Sequence, residues 1–266
     1  MSLPETTQLA LERRDGVLQV VFDRAGVSNA LDSETVEELA AVFEAVADDR
    51  SVRAIVLRGA GRHFCAGADL KSIGEVTGAD RRAAVIAFNR RFGEVLTMID
   101  RAPQAVVIVA QGAALGGGFG LLCVADITIM TRDAKMGMPE TRLGLPAAQI
   151  MPFVVARIGV TATRRIAVCG LRFDGAEADR LGVAHTVVDD LAAADRALEG
   201  VLADIKACAP GANAATKQLL ATLDGRDMDR LADQAAALFA DCLLSDEGAE
   251  GTQAFREKRT PRWART

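Results

Sequence analysis

Gln111-Gly112-Ala113-Ala114-Leu115-Gly116-Gly117-Gly118-Phe119-Gly120 follows the apolar run Ala105 to Ala110 and leads into the apolar segment Leu121 to Ala125. The first run is β-branched and reads as a strand, the second as a short helix. The glycines therefore occupy a strand-to-helix turn. Such a turn exposes unpaired N–H groups at a helix N-terminus, a place suited to negative charge. Glycine clusters equally mark tight turns, and this stretch alone leaves both readings open.

Upstream, Val17 to Phe22 and Ala54 to Leu57 read as strands. Between them a helix starts at the N-cap Asp32 and places Val36, Leu39, Ala40, Phe43 and Val46 on one face. A polar-patterned helix from Asp80 to Ile99 precedes the strand Ala105 to Ala110, and another strand follows at Ile127 to Met130. Strands alternating with helices predict an α/β fold. Downstream, Ala147 to Ile158, Thr161 to Cys169 and Asp174 to Leu181 read as short helices, the last opened by an Asp174…Glu177 capping box. A brief strand at His185 to Val188 comes next. From Leu191 onward the chain reads as helix, broken at Pro210-Gly211, Asp224-Gly225 and Gly248.

The chain has 266 residues, half of them hydrophobic, enough to bury a sizeable core. Its 36 acids against 31 bases give a net charge of -5, which argues against nucleic acid or an anionic membrane as partner. Basic residues bunch at the C-terminus (Arg256, Lys258, Arg259, Arg262, Arg265), as a solvated tail or a site for a phosphorylated ligand. Five cysteines, Cys65, Cys123, Cys169, Cys208 and Cys242, stand singly, which fits a reducing cytosol better than a disulfide framework or zinc site. Met1 to Asp15 holds three acids and no apolar signal core. Gly112 to Ala125, the most apolar stretch, is 14 residues long and a third glycine, too short to span a bilayer. A cytoplasmic protein is expected.

Two further segments can hold chemistry. His63-Phe64-Cys65-Ala66-Gly67-Ala68-Asp69-Leu70-Lys71 strings small residues together, so backbone can approach a ligand closely. Lys135-Met136-Gly137-Met138-Pro139-Glu140-Thr141-Arg142-Leu143-Gly144-Leu145-Pro146 sets one carboxylate among apolar residues. If Glu140 is desolvated its pKa rises and it suits proton transfer; if it lies open beside Arg142 it is an ordinary surface glutamate. Other chemistries are harder to build. No Gly-x-Gly-x-x-Gly, P-loop or Gly-x-Ser-x-Gly elbow is present, and the two histidines, His63 and His185, share no metal-ligand spacing. Both read as packing or surface residues. Cys65 reads as a small wall residue without a histidine partner, and Asp69 and Asp126 as local structural carboxylates.

Taken together, Asn29-Ala30-Leu31, Ala66 to Lys71, Ala114 to Gly118, Ala125-Asp126, Met138-Pro139-Glu140 and Phe255 to Arg259 resemble, in order and spacing, the enoyl-CoA hydratase/isomerase (crotonase) family. The resemblance implies a crotonase (ClpP-like) spiral of ββα units over residues 1–195 and a C-terminal helical region over 196–266 that forms trimers or dimers of trimers. It implies an acyl-CoA thioester as ligand, with coenzyme A belonging to the substrate, and neither metal nor separate cofactor. The backbone N–H groups of Ala68 and Gly117 would form an oxyanion hole, each donor worth about 3 kcal/mol in comparable sites. Glu140 would be the acid or base, and Ala66, Gly67, Asp69, Leu70, Lys71, Gly116, Gly120 and Lys258 would bind substrate, Lys71 and Lys258 at the CoA moiety.

One position departs from the pattern. Where familiar hydratases carry a glutamate two residues past the glycine triplet, this chain has Gly120. Gln111 to Ala113 with Gly118 to Leu121, Pro152 to Gly159, Cys208 to Pro210 with Lys217, and Lys258 to Trp263 look like bacterial hydratases of branched glutaconyl-CoA thioesters, such as the 3-methylglutaconyl-CoA and isohexenylglutaconyl-CoA enzymes. The expected reaction is therefore hydration of a 2-enoyl-CoA. The alternatives are 3-enoyl to 2-enoyl isomerisation by Glu140 alone, and acyl-CoA binding without catalysis.

Overall fold

The computed structural model describes residues 3–75, 80–208, 210–223, 233, 236–237, 239–241 and 243–259. Asp224-Gly225, Cys242, Arg262, Arg265 and the segment 260–263 lie outside the described residues.

Six strands form the main sheet: β1 (Leu9–Arg14), β2 (Val17–Phe22), β3 (Ala54–Gly59), β4 (Ala105–Ala110), β6 (Ile127–Thr131) and β9 (Thr186–Val188), in that order across it. Only β1 runs antiparallel to its neighbour; every later pairing is parallel. β4, near the middle, is buried at all six positions, as a parallel strand covered on both faces must be. Alternate residues serve two cores. Leu18, Val20, Phe22, Ile55, Leu57, Val106 and Ile108 face α1 (Ser33–Val46) and α3 (Arg81–Asp100). Val17, Val56, Val107, Val109 and Ile129 face Ala194, Leu198 and Ile205 of α7 (Leu191–Ala207). Asp32 caps α1, its carboxylate accepting from Thr35 N at 2.8 Å.

A second, three-stranded sheet joins β5 (Ala113–Leu115), β7 (Lys135–Gly137) and β8 (Arg172–Phe173). β5 and β7 are parallel with Leu115 opposite Gly137, so both release the chain at the same edge. β5 releases it into α4 (Gly117–Val124), and β7 into a 3-10 turn over Pro139–Leu143.

Several local expectations need correction. The apolar helix begins at Gly117, four residues before Leu121. Residues 147–150 are not helical, with a turn over 148–150, and α5 starts at Met151 with Pro152 in its first turn. The two helices expected beyond 147 are one element, α5 (Met151–Val168), broken at Gly159 with φ 74° and ψ 161°. Strands β1, β5, β7 and β8 and the helix α2 (Leu70–Glu75) are additional to the expected elements. A division at residue 195 falls inside α7, which belongs to the main sheet's second core. The remaining described elements are α6 (Gly175–Arg180), capped by Asp174 as expected, α8 (Pro210–Leu223) and α9 (Asp246–Arg256). Gly248, read as a helix break, lies within α9.

Part of the C-terminal region packs back on this chain. Phe239, Ala240 and Leu243 join Val85 and Leu145 in a third core beside Ala68, Leu70 and Leu143.

Candidate active site

The two small-residue segments are zipped together by backbone. Cys65 N donates to Ala113 O at 2.9 Å, and Leu115 N to Cys65 O at 3.0 Å, so Cys65 runs parallel to Ala114. Leu31 flanks the other side, its amide donating to Gly67 O and its carbonyl accepting from Asp69 N, both at 2.8 Å. Gly67, with φ +95°, turns the chain here; a Cβ on it would stand 2.8 Å from Leu115 O and 3.6 Å from Gly117 N. Ala68 and Gly117 thus lie at one mouth. Gly117 opens α4, so its N–H has no intrahelical acceptor, and among the described residues neither that amide nor Ala68's donates to a protein group.

Glu140 meets this mouth from the neighbouring strand end. Gly116 N donates to Gly137 O at 3.0 Å, extending the β5–β7 pairing into the turn that holds Glu140. Gly116, at φ +53°, has no side chain to fend the carboxylate off: a Cβ there would stand 3.0 Å from Glu140 Oε1 and 3.5 Å from its Cδ. Glu140 keeps some surface open to the cavity, but its Oε2 is sealed and has no hydrogen-bond partner among the described residues. Burial pushes the carboxyl up to about 7, its own amide pulling slightly the other way. Such a group exchanges a proton near neutrality. The two amides beside it can stabilise negative charge on a carbonyl oxygen.

An open-mouthed cavity contains all of these groups. Of the residues singled out in the sequence, Ala66, Gly67, Ala68, Leu70, Gly116, Gly117 and Glu140 line it. Leu31, Phe88, Phe92, Leu143, Leu145, Ile150 and Phe239 make the rest of the wall mostly apolar, with Asn89 and Gln149 as further polar groups.

Four of the sequence candidates lie off the wall. Asp69 takes an ion pair from Arg24 at 3.3 Å and caps α2 through Ser72 N. Gly120 sits beneath Ile150. Lys71 is exposed on α2, and Lys258 is exposed beyond α9 with φ 53°. On α2 the near cation is Arg256: a Cβ on Gly74 would stand 3.1 Å from its Nη1. Arg259 pairs with Glu250 and Glu257.

The other singled-out residues are structural. His63 Nδ1 accepts from Ala113 N, and His185 Nδ1 from Thr128 N, each at 3.0 Å. Asp126 holds Val106 N and Lys217 Nζ. Cys65 is fully buried, and desolvation drives its thiol up to about 12, far from a thiolate at neutral pH. Asn29 ties Arg24 N, Ala60 O and His63 O into the loop ahead of Cys65. Sequence reading passed over Phe88, Asn89, Phe92 and Gln149. The first three lie on a helix whose polar pattern gave no reason to look there; an asparagine among phenylalanines was the available signal.

Residues 12–266 match the family model described as enoyl-CoA hydratase/isomerase. The chain is 33% identical over 264 residues to a carnitinyl-CoA dehydratase of Proteus mirabilis (strain HI4320), covering 96% of this chain and 97% of that one. It is 30% identical over 243 residues to the enoyl-CoA hydratase ACTT6 of Alternaria alternata, covering 91% and 78%. The solved structure of Pseudomonas aeruginosa AtuE superposes with a TM-score of 0.79 at 48% identity, covering 97% of this chain and all of that one. Among the described residues no helix is long and apolar enough to cross a membrane. With its parallel-stranded core, small second sheet and helical end, the chain has the crotonase fold and belongs to the enoyl-CoA hydratase/isomerase family of acyl-CoA enzymes.

Proposed function

We propose that this enzyme hydrates a 2-enoyl-CoA thioester. The carrying observation is the unpartnered Glu140 Oε2, in a carboxylate set against Gly116 beside the free amides of Ala68 and Gly117. The thioester carbonyl oxygen sits between the two amides. Water oxygen bonds to C3, the C2=C3 pair moves onto the carbonyl as an enolate, and the Glu140 carboxylate accepts the water's proton. Glu140 then returns that proton to C2 and is regenerated. Charge builds up on the carbonyl oxygen in the transition state, where the two donors are already in place. The steps are redox-neutral, and we propose that they need no cofactor beyond the CoA of the substrate. The dehydratase and hydratase names of the relatives support water chemistry over other proton transfers.

Lys71, Arg256 and Lys258 are the cations we assign to the CoA phosphates. The shared runs with branched glutaconyl-CoA hydratases support a branched acyl group. Val160 and Val168 on α5 are 58% and 74% exposed, and with the helical end they support assembly into trimers or dimers of trimers, which solution mass would read.

Loss of enoyl absorbance with crotonyl-CoA and 3-methylglutaconyl-CoA tests the reading, and wild-type enzyme that hydrates neither overturns it. The second reading is 3-enoyl to 2-enoyl isomerisation, favoured by the missing carboxylate at Gly120, since one base can move a proton between C2 and C4. It predicts product free of oxygen from labelled water.

A further inference from the structure

Glu140 stands on a turn that is fastened from the side away from its carboxylate. Three hydrogen bonds join that turn and its approach to one corner of the chain, where α5 ends and β8 is about to begin. Met138 N donates to Leu171 O at 3.2 Å, Thr141 Oγ1 to Ala167 O at 3.0 Å, and Arg142 Nε to Gly170 O at 2.8 Å. Gly170, at φ +54°, lets both side chains lie on the corner: a Cβ there would stand 2.8 Å from Arg142 Cγ and 3.0 Å from Thr141 Oγ1. Ala167 lies in the last turn of α5 and Gly170 just past it, where backbone carbonyls run out of helical donors and a guanidinium suits the negative end of the helix.

These ties decide where Glu140 can go. Arg142, two residues along, would be its nearest ion-pair partner by sequence, yet the guanidinium is turned onto Gly170 O. Glu140 reaches the opposite way, to Gly116, where a Cβ would stand 3.0 Å from its Oε1. Among the described residues of the cavity wall it is the one titratable side chain, so no cation offsets its burial. A 3-10 turn of five residues has poor hydrogen-bond geometry of its own, and ties from outside must keep the carboxylate against the cavity.

We propose that Thr141 and Arg142 are positioning residues for Glu140: by fastening its turn to the end of α5, they hold the carboxylate against Gly116 and keep the guanidinium away from it. Neither lines the cavity, so each acts through Glu140. The step they serve is the proton transfer of the hydratase reading, on which the inference rests. A displacement of about 1 Å can cost about 100-fold in such a step.

Carbon-13 NMR of glutamate-labelled enzyme, with Glu140→Gln to assign the signal, reads the Glu140 carboxyl with no substrate present. In wild type it should titrate at about 7, and in Thr141→Val combined with Arg142→Leu it should fall toward 4.5 as water reaches the carboxyl. In that variant kcat for hydration of crotonyl-CoA or 3-methylglutaconyl-CoA should drop by about 10–100-fold, with KM within about threefold of wild type. Arg142→Lys, which keeps a donor for Gly170 O, should retain kcat within about threefold. Thr141→Val alone removes one hydrogen bond at near-constant volume and should shift the titration in the same direction, which covers a double variant that does not fold. Variants whose Glu140 still titrates at about 7, even with a lowered denaturation midpoint, overturn the positioning role. Wild-type enzyme that titrates there yet hydrates neither thioester overturns the hydratase reading instead, and the titration of the variants then still decides the role of Thr141 and Arg142.

Discussion

Ile150 occupies the space that a side chain at position 120 would need: a Cβ built on Gly120 overlaps Ile150 Cγ2 and stands 2.9 Å from its Cβ. The missing carboxylate is thus a packed-over position and not an empty socket. Gly120→Glu should neither install a second catalytic group nor fold well. Overpacking of this kind costs about 1–3 kcal/mol, and a buried carboxylate adds to it. The denaturation midpoint should fall, and Gly120→Glu combined with Ile150→Ala should recover part of the loss.

Glu140 sets the pH dependence of the rate. Its carboxyl titrates at about 7 in the free enzyme, and the carboxylate is the form that accepts the water's proton. The value of kcat/KM for hydration should climb about tenfold per pH unit below that point and level off above it. A limb near the ordinary glutamate range would mean that another group is titrating. Glu140→Gln should reduce hydration by at least about 100-fold at all pH values.

The same group makes stability depend on pH with an unusual sign. Burial raises the folded pKa from 4.5 to about 7, so between those values the native state binds the proton more tightly than the unfolded chain. Stability falls as pH rises through this window, and the full penalty is present above it, about 3 kcal/mol. Glu140→Gln removes the charge. By urea unfolding, the variant should be more stable than wild type at pH 8, by up to that amount, and the gap should close below pH 4.5.

How far the sequence was legible follows from the physics of each element. The main sheet and α1 announce themselves because β-branched period-2 runs and a capped amphipathic helix are local signals. β5, β7 and β8 span only two or three residues, too short for any period to register. Yet the β5–β7 pairing is what brings Gly116 to Glu140. Glu140 and Gly117 were nameable through motifs; Asn89 was not, because it enters the cavity from α3, where local pattern says only that the helix has a polar face.

Gly67 tests the amide pair without touching either amide. Gly67→Ala would put a Cβ 2.8 Å from Leu115 O at a φ of +95°, straining the backbone and wedging the two loops apart. Ala68 N–H then moves away from Gly117 N–H. Loss of one such donor lowers kcat by about 10²–10³-fold, and KM should change much less. Unchanged kcat would show that the spacing of these amides is irrelevant to the reaction.

Gly251 connects the C-terminal helix to the same chemistry. α9 lies so close to the Glu140 turn that a Cβ on Gly251 would overlap Leu143 O and stand 2.8 Å from Leu143 Cα. Glu250 and Arg259 pair at 2.7 Å and tie the chain beyond α9 back onto the helix. Gly251→Ala must push α9 and the Pro139–Leu143 turn apart. Water then reaches Glu140, desolvation weakens, and the acid limb of the rate profile should move from about 7 toward 4.5 as the maximal rate drops. Because the limb moves only if the carboxylate's surroundings change, a loss of rate with the limb in place would mean that α9 supports the fold and not the environment of Glu140.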